Sequence, residues 1–292
     1  MPKARLNGTD IYFEDYGPKE APAIVFSPLL YIDMSVYKPL LELFNDEFRV
    51  VTYDHRGQGQ SARNTKKSDL QTSTKDTIAL IEYLNLEPCH FVGNCLGAFV
   101  GLNLAVQRSD LLKSCTLMGA VPEGATTKEA KDMDNYLDNL KKEGPRLGMQ
   151  SFVNRVFGET FRTSMDPSVI ERREKILQHL KVMSVDELEN ARQIFHRQTI
   201  SKEDLQKISV PVLIIAGDED VPEYLASYKR LGLAIPHVTY KTLHHAGYSL
   251  VVEQPYEVAH LVRDHIEKAE RNYAAMLSSG KKSKGKPSRL RS

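Results

Sequence analysis

The run Phe91-Val92-Gly93-Asn94-Cys95-Leu96-Gly97-Ala98 constrains the fold more than any other part of the chain. An apolar, strand-like stretch ending at Val92 passes with no intervening loop into helical spacing from Leu96. Glycines stand two residues before and two residues after Cys95. A turn this sharp needs neighbours with minimal side chains, because the strand and helix backbones approach closely there. The central side chain then projects above a sheet at a helix N-terminus. At that place the backbone N–H of Leu96 can stabilise an oxyanion, and the helix end favours thiolate over thiol. Cys95 is therefore the candidate nucleophile.

The surrounding pattern supplies the sheet. Ala23-Ile24-Val25-Phe26, Arg49-Val50-Val51-Thr52-Tyr53, His90-Phe91-Val92, Thr116-Leu117-Met118 and Val212-Leu213-Ile214-Ile215-Ala216 read as strands buried on both faces. His237-Val238-Thr239-Tyr240 reads as the last strand, and Ile11-Tyr12-Phe13-Glu14 alternates like an antiparallel edge strand. Helical spacing over residues 73–83 and 96–106 falls between strands. Such alternation predicts an α/β fold, a mostly parallel sheet covered on both faces. Between Pro122 and Ile208 the alternation stops, and helical patterns recur at 128–142, 150–157, 167–180 and 185–195. We read residues 123–206 as a helical lid inserted into a core made of 1–122 and 207–277. The last helix is expected from Pro255 to about Leu277, followed by a disordered basic tail at 278–292. That tail carries Lys281, Lys282, Lys284, Lys286, Arg289 and Arg291 among Ser, Gly and Pro.

Charge and cysteine usage exclude several classes. A net charge of +1 lacks the broad basic excess of a nucleic-acid binder. No apolar run approaches the roughly 20 residues that span a bilayer, and Met1-Pro2-Lys3-Ala4-Arg5 leads into no signal-like apolar region, so no membrane partner and a cytoplasmic location are expected. The three cysteines include no C-x-x-C pair; Cys89 and Cys115 lie in strand-like runs and read as core residues. No metal-ligand spacing occurs, and Gly57 and Gly59 lack the third glycine and following helix of a dinucleotide fingerprint. No cofactor or metal is expected. Oligomeric state is left open.

Several ordered motifs together resemble the α/β-hydrolase superfamily, and within it the lid-bearing 3-oxoadipate enol-lactonase-like branch. Asp54-His55-Arg56-Gly57-Gln58-Gly59-Gln60-Ser61 is similar to that family's D-x-R-G-x-G-x-S loop. The segment from Gly148-Met149-Gln150 to Arg162, residues 211–220 and Glu253-Gln254-Pro255 resemble the same branch, so the likeness covers about residues 6–268. In the family the Arg56-Gly57-Gln58-Gly59 stretch braces the nucleophile turn and takes no part in chemistry.

The resemblance implies the other site residues. In Ala216-Gly217-Asp218-Glu219-Asp220 the family's G-x-x-D pattern puts the triad acid at Asp220, although three consecutive acids also fit a solvated loop. The family's catalytic histidine lies five residues before the Glu of E-Q-P, and here that position is Tyr248. A phenol of pKa near ~10 does not serve as an imidazole at neutral pH. Either His245 or His244 reaches the site instead, or a polarised Cys95 needs less help, or the cleft has kept its shape and lost hydrolysis. Where the family carries His-Gly or His-Ser-Leu-Gly after the strand, this chain reads Ser27-Pro28-Leu29-Leu30-Tyr31. Backbone N–H groups of Leu29 or Leu30 remain usable as oxyanion donors, Pro28 has none, and Tyr31 replaces a small residue at the substrate pocket.

These residues lead to an enzyme that uses Cys95, Asp220 and His245 on a small ester, lactone or thioester, by hydrolysis or acyl transfer. Dienelactone hydrolases are similar in having a G-x-C-x-G nucleophile. Two alternatives remain: a non-hydrolytic protein keeping the pocket for a ligand or partner, and a lyase or isomerase using Tyr248 or Tyr31 as proton donor.

Overall fold

In a computed structural model the described residues are 3–63, 69–124, 153–181 and 199–283, with isolated positions between 131 and 142. Eight strands form one sheet: β1 Lys3–Leu6, β2 Thr9–Tyr16, β3 Ala23–Ser27, β4 Arg49–Tyr53, β5 Cys89–Asn94, β6 Leu112–Met118, β7 Val212–Gly217 and β8 Val238–Leu243. Their order across the sheet is β1-β2-β4-β3-β5-β6-β7-β8. The pairs from β4 to β8 are parallel, while β1–β2 and β2–β4 are antiparallel.

Burial explains the pattern. Every residue of β3, β5 and β7 is buried, as continuous apolar runs covered on both faces must be. β2 was expected at an edge, yet β1 lies outside it. β1 alternates exposed and buried residues, and Asn7-Gly8, both at positive φ, closes the hairpin.

The helices are α1 Lys38–Leu41, α2 Leu70–Tyr83, α3 Leu96–Gln107, α4 Glu159–Thr163, α5 Pro167–Lys181, α6 Lys202–Leu205, α7 Pro222–Ala234, α8 Leu250–Glu253 and α9 Pro255–Ser283. α3 is buried from Leu96 to Ala105, so it is a core helix packed against β5 and β6. Among the described residues no strand occurs between β6 and β7, where α4, α5 and α6 lie. The expected helices at 128–142 and 185–195, and the start of that at 150–157, fall largely outside the described residues. α9 runs to Ser283, past the expected end near Leu277, so the first residues assigned to a disordered tail are helical. The rest of that tail lies outside the described residues. Among the described residues no helix is long and apolar enough to cross a membrane.

Topology places the site. The chain leaves β3 for β4 on one side and returns to β5 on the other, so the crossovers after β3 and β5 diverge. Such a switch point opens a crevice at the strands' carboxyl ends. The segment after Ser27 and the turn at Cys95 meet there.

Candidate active site

Cys95 has φ 54° and ψ −116°, a left-handed conformation that non-glycine residues rarely adopt. Tertiary contacts hold it: its N–H donates to Met118 O at 2.8 Å, and its carbonyl accepts from Ala98 and Phe99 N–H at 3.0 and 3.1 Å. The flanking glycines are sterically required. A Cβ on Gly93 would stand 2.2 Å from Gly97 O, and one on Gly97 would stand 2.0 Å from Ser27 O. Gly97 N–H donates to Pro28 O at 3.0 Å, joining the turn to the loop after β3. The backbone N–H groups of Leu29, Leu30 and Leu96 donate to no acceptor among the described residues. The Cys95 side chain lines a cleft of about 650 Å3, counting space continuous with solvent, together with Leu29, Leu30, Asp220, Tyr224 and Tyr248.

The loop that follows β4 braces this arrangement from behind. Buried His55 places Nε2 3.1 Å from Pro28 O, and burial lowers its pKa to about 4. The Asp54 carboxylate accepts from Met34 N–H at 2.9 Å and Gln60 N–H at 2.8 Å. Arg56 pairs with buried Asp76.

Tyr31 is displaced from its expected role. It is 2 % exposed, has φ 66°, and is absent from the described cleft wall; its N–H donates to the Gln58 side chain. The residue serves as a buried bracket for the loop in which Leu29 and Leu30 face the cleft. Leu96 is likewise buried at the start of α3, where it offers its backbone N–H and no side-chain wall.

Asp220 lines the cleft, but it meets a phenol. Its Oδ2 accepts from Tyr228 Oη at 2.7 Å and its Oδ1 from Val221 N–H at 2.7 Å. Burial raises its carboxyl to about 6. Tyr248 lines the cleft together with Cys95, and its hydroxyl donates to Gly119 O at 3.1 Å. Burial, then the charge of Cys95, push that phenol well above its ordinary value, so it stays protonated. Tyr224 packs on Tyr248 with ring centroids 5.7 Å apart and on Tyr228 at 6.2 Å. Tyr248, Tyr224 and Tyr228 thus form an aromatic wall along the cleft that Cys95 and Asp220 share.

The paired histidines do not enter the site. The His245 side chain is 75 % exposed, with Nδ1 3.9 Å from Glu219 Oε1, and it is not among the described residues lining the cleft. Its left-handed backbone, φ 60°, is held by its N–H donating to Asp218 Oδ1 at 2.8 Å. His244 points out as well, 79 % exposed, with Nδ1 2.8 Å from Asp218 Oδ2. The expectation that His245 or His244 reaches Cys95 is corrected: Asp218 draws this corner of the loop outward.

Two residues with structural command of the site escaped the sequence reading. Fully buried Asn94 donates through Nδ2 to Met118 O at 2.9 Å and Tyr248 O at 3.0 Å, while its Oδ1 accepts from Val251 N–H at 3.3 Å. It ties the Cys95 turn to the Tyr248 loop. Glu253 accepts from the N–H groups of Gly158, Gly247 and Ser249 at 3.0, 2.8 and 3.1 Å, and burial raises it to about 7. The Glu of E-Q-P thus marks a loop clasp. Arg155 and Val156 also line the cleft, and nothing in the local sequence around them signals it.

A crossover crevice with a strained strand-to-helix turn at Cys95 defines an α/β-hydrolase architecture. The chain belongs to the alpha/beta hydrolase fold family, which it matches over residues 31–255. It is similar to 3-oxoadipate enol-lactonase 1 of Acinetobacter baylyi, 30% identical over 205 residues that cover 70% of this chain and 73% of that one. Among solved structures, an esterase from Thermogutta terrifontis gives a TM-score of 0.81 at 21% identity, covering 92% of this chain and 99% of that one. The enol-lactonase from Burkholderia xenovorans LB400 gives 0.78 at 22% identity, covering 91% and 100%. At these identities the two structures speak for the fold alone.

Proposed function

We propose that this protein is a cysteine-dependent acyl-transfer enzyme acting on a small ester, lactone or thioester. The observation that carries the reading is Cys95 at a left-handed strand-to-helix turn, facing a cleft beside three backbone N–H groups that have no acceptor among the described residues. The Cys95 thiolate attacks the acyl carbon, and the N–H groups of Leu96 and of Leu30 or Leu29 hold the developing oxyanion. Collapse forms the thioester and breaks the bond to the leaving group, which takes up a proton equivalent to the one Cys95 released. Water or another acceptor then removes the acyl group.

The cleft suits a small apolar acyl chain. Leu29, Leu30, Ile32, Val156 and Val221 line it. The name of the sequence relative, an enol-lactonase, is consistent with an acyl donor. A second reading, a pocket that binds ligand without turnover, draws support from Tyr248, which lines the cleft together with Cys95.

Short p-nitrophenyl esters test both. Intact-protein mass spectrometry on the wild type should reveal an acyl adduct that maps to Cys95 and vanishes in Cys95→Ala. Ligand-induced thermal stabilisation with no adduct on the wild type would favour the second reading and overturn the first.

A further inference from the structure

A buried polar network lies under the loop that follows β3, and it grips one carbonyl from two sides. Pro28 O accepts from Gly97 N–H at 3.0 Å and has His55 Nε2 at 3.1 Å. A carbonyl oxygen only accepts, so the His55 hydrogen sits on Nε2. Burial lowers the pKa of this ring to about 4 and keeps it neutral. Tyr53 stands edge-on against the imidazole, with centroids 5.1 Å apart. Ser27 Oγ lies 3.3 Å from Nε2 and 2.7 Å from Tyr53 Oη, which is 2.7 Å from Thr77 Oγ1 on α2. Tyr37 Oη donates to Ser27 O at 2.7 Å, so the preceding carbonyl is fixed too.

The Pro28–Leu29 peptide is trans and planar, so its C=O and N–H point in opposite directions. Holding Pro28 O against Gly97 and His55 therefore turns Leu29 N–H away from both. Leu29 is buried and lines the cleft, and its N–H meets no acceptor among the described residues. The proline ring fixes φ at position 28. The rotation that remains, ψ of Pro28 against φ of Leu29, would swing the oxygen off its donors. We propose that His55 is a positioning residue for acyl transfer: its Nε2–H locks the Pro28–Leu29 peptide plane and so presents Leu29 N–H to the oxyanion formed when Cys95 attacks. His55 touches no substrate and moves no proton. The inference rests on the acyl-transfer reading and specifies the loop amide that acts in it, Leu29 rather than Leu30.

In His55→Leu, Gly97 N–H is the one donor of this pair left on Pro28 O, and the peptide plane can rock. An oxyanion donor that loses its aim slows the step by about ten- to a hundredfold. Alkylation by iodoacetamide is the matching control. The sulfur displaces iodide from a tetrahedral carbon and no oxyanion forms, so that reaction reports on the Cys95 turn alone.

The experiment compares single-turnover acylation of Cys95 by p-nitrophenyl butyrate with iodoacetamide alkylation of the same sulfur, in wild type, His55→Leu and His55→Gln. At saturating ester His55→Leu should acylate about ten- to a hundredfold more slowly, with the half-saturating concentration and the alkylation rate unchanged. His55→Gln, whose amide N–H reaches about as far as Nε2–H, should recover most of the loss. Equal acylation in wild type and His55→Leu would overturn the proposal. So would a parallel fall in acylation and alkylation, or a His55→Gln no faster than His55→Leu. Should His55→Leu fail to fold, His55→Asn, with an amide one methylene shorter, serves in the same comparison. Absence of any acyl adduct on the wild type would bring down the acyl-transfer reading and this role together. Adduct formed at the wild-type rate in His55→Leu would bring down this role alone.

Discussion

Replacing Asn94 by alanine should reveal how firmly the Cys95 turn is tied to the Tyr248 loop. The side chain makes three hydrogen bonds in a fully buried setting, to Met118 O, Tyr248 O and Val251 N–H. Met118 O keeps a partner in the variant, because Cys95 N–H also donates to it at 2.8 Å. Two groups lose theirs: the carbonyl of Tyr248 and the N–H of Val251. At about 1–3 kcal/mol for each buried orphan, Asn94→Ala should cost roughly 2–5 kcal/mol. Asn94→Asp should cost more at neutral pH, since it turns a carboxylate oxygen toward two carbonyls. That carboxyl has a folded-state pKa above its unfolded one, so protonation favours the native state. The extra cost is therefore absent in acid and grows as pH rises through the folded value. Urea unfolding near pH 4 and pH 7 measures both effects. A loss below about 0.5 kcal/mol for Asn94→Ala, or Asn94→Asp no worse than Asn94→Ala at neutral pH, would refute the reasoning.

Gly97→Ala places a methyl 2.0 Å from Ser27 O, against strand backbone that cannot move aside; it should cost about 3 kcal/mol or more by denaturant titration and abolish labelling of Cys95. His245→Ala, at a side chain 75 % exposed, should leave stability within about 0.5 kcal/mol and leave adduct formation unchanged. Asp220→Asn tests burial of the cleft carboxyl. The folded-state value of Asp220 is raised from 3.8 to about 6, so its ionisation drains stability as pH climbs through that window. The neutral amide escapes this. The variant should gain on the wild type from pH 4 to pH 7, by up to about 3 kcal/mol, and a flat difference would contradict it.

What the sequence disclosed follows from how local each cause is. The central strands were legible because burial on both faces forces unbroken apolar runs such as Ile24-Val25-Phe26. β1 was not, since Lys3 and Arg5 interrupt its apolar positions, although Asn7-Gly8 carried a usable hairpin signal. Cys95 could be placed because glycines two residues away on each side encode the tight turn. The fate of His245 could not, because Asp218, 27 residues earlier, sets its direction. The aromatic wall was equally hidden: Tyr224 and Tyr228 lie on one face of α7, and Tyr248 arrives from a separate loop. The role of Asn94 depends on carbonyls from β6 and the Tyr248 loop, which nothing around residue 94 announces.

Among the described residues five non-glycines have positive φ. Asn7 and Asn85 suit such turns, whereas Tyr31, Cys95 and His245 occupy three loops around the crevice. The site therefore works as a store of backbone strain, of order 1–3 kcal/mol per residue. The three positions are not equally open to an engineer who wants heat tolerance. Glycine at Tyr31 would discard a buried ring, and glycine at Cys95 would discard the sulfur. Only His245→Gly relaxes the chain while giving up an exposed side chain, for a gain of about 1 kcal/mol. Thermal resistance can be improved cheaply on the outer corner of this crevice, while the strain at its centre is inseparable from what the crevice holds.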